Sequence, residues 1–88
     1  MAKRIEFGNF LIIEATAREL YVACGGPGIC DWCGTPSAHG YYIAVLNQWF
    51  CDKCYNEWKE RATYYPEDVD VETRNYNFYA PRFGLKCV

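Results

Sequence analysis

Apolar positions change period several times along this chain, and each change predicts an element. Ile5-Glu6-Phe7 and Phe10-Leu11-Ile12-Ile13 flank Gly8-Asn9, which reads as two short extended segments, paired as a small hairpin or forming one irregular arm. Thr16-Ala17-Arg18-Glu19 has the capping-box pattern, a Thr with Glu three residues on, and predicts a short helix ending at Gly25-Gly26. Leu20-Tyr21-Val22 favours strand and pulls the other way. Tyr41 to Leu46 is rich in strand formers, and Trp49-Phe50-Cys51 follows the polar Asn47-Gln48, so this stretch predicts a β-hairpin. From Asp52 the period becomes helical: Tyr55, Trp58 and Ala62 fall at i, i+3 and i+7, and Glu57 precedes Arg61 by four. That helix is expected to run to about Thr63 and to be stopped by Pro66. Asp68 to Glu72, with Asp70 as cap, predicts a second helix through Tyr79, ended by Pro81.

The chain has 88 residues, enough for a single domain, 1–88, and too few for a cofactor-binding fold joined to a substrate domain. With 51% apolar and 23% charged residues it has the composition of a folded protein, and its six cysteines are the natural staple for so small a core. The net charge of −2 is uneven: residues 64–75 sum to −3 and 76–88 to +2. No basic block exists, which disfavours nucleic acid as a partner. The longest apolar run, Phe10 to Ile13, is four residues, shorter than a secretory signal or a membrane span requires. The expectation is a soluble cytoplasmic protein with no membrane partner, in a reducing compartment where paired thiols are metal ligands.

Four of the cysteines form Cys30-Asp31-Trp32-Cys33 and, seventeen residues later, Cys51-Asp52-Lys53-Cys54. C-x2-C-x17-C-x2-C lies in the range of zinc sites, because two intervening residues let the chain turn both sulfurs onto one ion. Gly34 follows the first pair, where the exit of such a knuckle requires a backbone that glycine adopts cheaply. Four thiolates fill a tetrahedron and leave no position for water, so the expected Zn2+ is single and structural. Cys24, closing Leu20-Tyr21-Val22-Ala23, is expected to be a small buried hydrophobe, and Cys87 an incidental terminal thiol. His39 is a conceivable substitute ligand, although the four cysteines already complete the set.

Knuckle, hairpin and a helix whose first turn supplies the last ligands resemble a treble-clef zinc finger, with the resemblance covering Cys30 to Ala62. The expected fold is therefore a small α+β zinc-stabilised domain, with a treble-clef core at 30–63 and extensions at 1–29 and 64–88 packed on it. The seventeen-residue spacer and Gly34 are also similar to GATA-type fingers. Those fingers carry arginines in the hairpin and a basic tail, whereas residues 34–50 here contain no Lys, Arg, Asp or Glu and the chain after the helix is acidic. The likeness to GATA fingers stops at the metal site.

Catalysis is not expected. A single histidine excludes paired-histidine metal sites, a Cys24 nucleophile with His39 as base has no third orienting group, and no small-molecule substrate is suggested. Nucleic-acid binding is the alternative function, since Trp32, Tyr41 and Trp49 could stack on bases, but Lys53, Lys59 and Arg61 are interleaved with Glu57 and Glu60. The favoured function is a non-catalytic module for protein–protein interaction or regulation. Sixteen aromatics exceed what a core of this size readily buries, and Tyr65, Tyr76 and Tyr79 are the candidate anchors for a protein partner.

Overall fold

Strand formers and turn residues set out a four-stranded antiparallel sheet in the computed structural model, which describes residues 2–88. Strands β1 (Lys3–Phe7) and β2 (Phe10–Thr16) pair through the Gly8-Asn9 turn, as the hairpin reading expects. Strands β3 (His39–Ile43) and β4 (Gln48–Cys51) form the second hairpin, but β3 stops before the expected Leu46 and Gln48 belongs to β4: residues 44–47 turn, with the Leu46 N–H on the Ile43 carbonyl and the Asn47 N–H on the Ala44 carbonyl, both at 3.1 Å. Asn47 closes its turn with φ of 55°, a left-handed conformation that asparagine tolerates better than most residues. β2 pairs with β3, so the sheet order is β1-β2-β3-β4 and residues on both sides of position 30 share one sheet.

Helix α1 (Ala17–Cys24) starts with the expected reciprocal cap: the Thr16 hydroxyl accepts from the Glu19 N–H at 3.1 Å, and the Glu19 carboxylate accepts from the Thr16 N–H at 2.9 Å. Helix α2 (Asp52–Arg61) ends two residues before Thr63, because Ala62 is already extended and Pro66 only limits the loop beyond. Helix α3 (Val69–Tyr79) grows out of a 3-10 turn at Pro66–Asp68. Its N-cap is Asp68 and not Asp70, and no side chain caps it. The preceding turn already supplies helical geometry, with the Val69 N–H bonded to the Pro66 carbonyl.

Alternation along β2 explains the apolar run at its start. Phe10 and Ile12 join Ile43, Phe50, Tyr55 and Trp58 in a core beneath α2, whereas Ile13 and Ala15 join Tyr42, Trp49, Leu20 and Tyr76 in a core beneath α1 and α3. A central strand covered on both faces has no polar side to show. The molecule is thus three layers, with α2 on one face of the sheet and α1 and α3 on the other. Two cores also absorb most of the rings, leaving Tyr21, Trp32, Tyr65 and Phe78 as the well-exposed ones.

Candidate metal centre

The first pair of ligands sits on a loop fastened to the free edge of β4. The Asp31 N–H donates to the Trp49 carbonyl at 2.9 Å, and the Trp49 N–H donates to the Asp31 carboxylate at 2.8 Å. The base of the loop closes through the Cys30 N–H on the Thr35 carbonyl and the Ser37 N–H on the Gly28 carbonyl, both at 3.0 Å. At its tip the Cys33 N–H points at the Cys30 sulfur, 3.5 Å away, and the Gly34 N–H bonds the Cys30 carbonyl. Gly34 has φ of 72°, which explains the glycine directly after the second cysteine. Cys51 and Cys54 come from the junction of β4 with α2, where Cys51 is the N-cap and makes no side-chain capping bond.

All four sulfurs lie within 4.8 Å of one another, and Cys33 Sγ is 3.9 Å from Cys51 Sγ. A tetrahedral ion with metal–sulfur bonds of about 2.3 Å spaces its sulfurs about 3.8 Å apart. None of the six cysteines is in a disulfide. Cys30 and Cys54 are buried, Cys51 is half-buried and Cys33 is exposed. Hydrogen bonds from Thr35 hold the Cys33 thiol down to about 6. Burial, followed by hydrogen bonds within the cysteine cluster, pushes Cys54 up. Four thiolates this close would repel one another strongly, and a divalent cation among them removes that cost. The four cysteines are placed to coordinate one metal ion, and an all-sulfur tetrahedral donor set suits zinc.

No protein-family model, curated protein or solved structure matches the chain.

His39 is not part of the sulfur cluster. Its Nδ1 is 2.6 Å from Asp52 Oδ1 and its Nε2 is 2.8 Å from Glu14 Oε2, while Lys3 Nζ lies 3.4 Å from the other Glu14 oxygen. Only an imidazolium donates to both carboxylates at once. Burial opposes that charge, but the bonds to Asp52 and Glu14 outweigh it and the pKa is raised. The residue ties β2, β3 and the first turn of α2 together immediately beside Cys51. Sequence reasoning did not find this clamp, because its carboxylates are 25 and 13 residues away.

Other expectations are corrected. Cys24 is exposed, its thiol bonded to the Leu20 carbonyl at 3.2 Å; Leu20 is the one buried residue of this short helix, and the Gly25 cap ends it at Cys24. Tyr76, at 1% exposure, is on the buried face of α3 and offers no surface to a partner. Tyr79 is half-buried against Tyr42, with ring centroids 4.8 Å apart. Of the three anchors, Tyr65 is exposed. Of the rings considered for base stacking, Trp49 is buried and Tyr41 stacks on Tyr55 at 3.9 Å, which leaves Trp32 open. Cys87 is exposed, as expected. No described helix is long and apolar enough to cross a membrane.

Proposed function

We propose that this chain is a non-catalytic, zinc-dependent module of the treble-clef type whose work is to bind another protein. The observation that carries the reading is the cysteine tetrad, which occupies every position of a tetrahedral ion with residues from a knuckle and from a hairpin-to-helix junction. Such a metal holds a surface in shape and leaves no coordination position for substrate or water. The order knuckle, β3–β4 hairpin, α2 supports the treble-clef assignment. Trp32, placed between the first two ligands and 62% exposed, supports the binding role, since the metal-ordered loop presents a large ring at little entropic cost.

The test has two arms. Purified protein should contain about one equivalent of zinc, and affinity purification from cells should recover a protein partner that is lost with Trp32→Ala. Random single-stranded or duplex nucleic acid should bind weakly even at low salt, because the chain has no basic block to displace counterions. A fully folded metal-free protein would overturn the metal reading. Tight, salt-sensitive nucleic-acid binding would overturn the protein-binding one.

A further inference from the structure

Below the knuckle, between the β3–β4 turn and the end of α2, lies a depression of about 360 Å³ whose walls include Trp32, Leu46, Phe50, Trp58, Arg61 and Tyr65. Trp32 and Tyr65 are more than half exposed and Leu46 is 39% exposed. Among the described residues Arg61 carries the only charge in this lining, and its guanidinium lies over the Trp32 ring, 4.9 Å from the centroid. Arg61 makes no ion pair among the described residues. The stacking holds the guanidinium flat and leaves its N–H edge available to an incoming carboxylate.

We infer that this depression binds a short extended segment of a partner protein, in which a large apolar side chain fills the space between Trp32 and Tyr65 and a neighbouring Asp or Glu pairs with Arg61. The inference rests on the protein-binding role proposed above and names its site and the chemistry of its partner. Size excludes a dimer built on this patch alone: two half-exposed rings and a leucine offer on the order of 300 Å², below the roughly 800 Å² that each partner contributes to a stable interface. Charge discriminates against a nucleic-acid strand. On the far side of Trp32, the adjoining depression is lined by Asp52, Lys53 and Glu57, a net charge of −1 beside the single positive charge of Arg61. A polyanion crossing Trp32 meets repulsion there, whereas one carboxylate next to Arg61 does not. The site is local and the protein is acidic overall, so the affinity comes from ring packing and one charge-assisted pair, with little long-range steering.

Selection of phage-displayed random nonapeptides on the zinc-loaded 88-residue chain tests this. Enriched peptides should carry an aromatic or large aliphatic residue next to Asp or Glu. Fluorescence anisotropy of a selected peptide should show a loss of about tenfold or more with Trp32→Ala and with Arg61→Glu, the scale of one removed charge-assisted bond. Binding to the Arg61→Glu protein should recover when the peptide's acidic residue is changed to Lys. Both substitutions are at exposed side chains, and unchanged zinc content and circular dichroism show that the variants fold. Enriched peptides indifferent to both substitutions would overturn this site and leave the protein-binding role standing. Absence of enrichment would overturn the site, and tight, salt-sensitive binding of a labelled twelve-residue oligouridylate would overturn the role as well.

Discussion

Glu72 is 2% exposed, and its carboxylate accepts the Leu11 N–H of the central strand at 2.9 Å. Burial raises its pKa above the ordinary 4.5, the Leu11 bond pulling the other way and the charge of Asp68 adding to the rise. A carboxyl with a raised folded-state pKa contributes stability that is complete below the ordinary value and lost as pH rises through the folded one. Glu72→Gln keeps an acceptor for Leu11 without the charge. The variant's thermal midpoint should therefore gain on wild type as pH rises above the ordinary 4.5, whereas Glu72→Ala, which orphans the Leu11 N–H, should cost about 1–3 kcal/mol throughout. His39 follows the same sign from the cationic side. Its contribution is complete below the ordinary 6.5 and lost as pH rises through the raised value set by Asp52 and Glu14. Differential scanning of zinc-saturated wild type and His39→Gln should show the wild-type advantage shrinking from pH 6 to 9. Taking the difference between the two cancels the opposite pH dependence of thiolate ligation.

At the scale of elements, each helix is held by a different device, and the devices differ in how visible they are in sequence. α1 is local: Thr16 and Glu19 cap it and a left-handed Gly25 ends it, its N–H on the Tyr21 carbonyl at 2.7 Å. These signals are three to nine residues apart, which is why the helix was readable against the strand preference of Leu20-Tyr21-Val22. Thr16→Ala should destabilise the fold by about 1 kcal/mol without changing zinc content, measured by urea unfolding and elemental analysis. α3 is tertiary. It docks through Glu72 on Leu11 and Asn75 on the Ala44 carbonyl at 2.9 Å, partners 61 and 31 residues distant. Gly40 shows the same dependence on neighbours, since a Cβ there would strike the Phe50 carbonyl oxygen and come within 2.6 Å of the Trp49 ring. Nothing in the sequence around Gly40 announces that crowding.

For the whole molecule, the metal centre and the sheet are one mechanical unit. The knuckle is bonded to β4 through Asp31, β4 runs directly into α2, and buried Cys30 and Cys54 belong to the same core as Phe50 and Trp58. Removing a ligand therefore opens that core as well as the loop. Cys30→Ser and Cys51→Ser should lose zinc and, by circular dichroism and proteolysis, lose the ordered structure of residues 30–63. A strong chelator should do the same to wild type, because the binding free energy of a structural zinc, on the order of 10 kcal/mol, matches the stability of a small domain. Cys24→Ser and Cys87→Ser should leave zinc content unchanged. Release of zinc by either substitution would show that the tetrad is assigned wrongly.

The sequence by itself determined what depends on short separations. Paired cysteines two residues apart named the four clustered sulfurs, Gly34 marked the knuckle's exit, and Thr16 with Glu19 started α1. Each of these is a backbone or coordination constraint satisfied within a few residues. Only the tertiary structure decided that the N-terminal hairpin joins the ligand-bearing hairpin in one sheet, and that α3 covers its second face. Strand pairing and face coverage are choices among distant partners, made by total burial and by satisfying backbone groups such as the Leu11 N–H, and neither is written in any local pattern. The same choice sorted the aromatics. Tyr76 and Tyr65 look alike along the chain, but the second core buries one ring, while the other remains beside Trp32 at the surface.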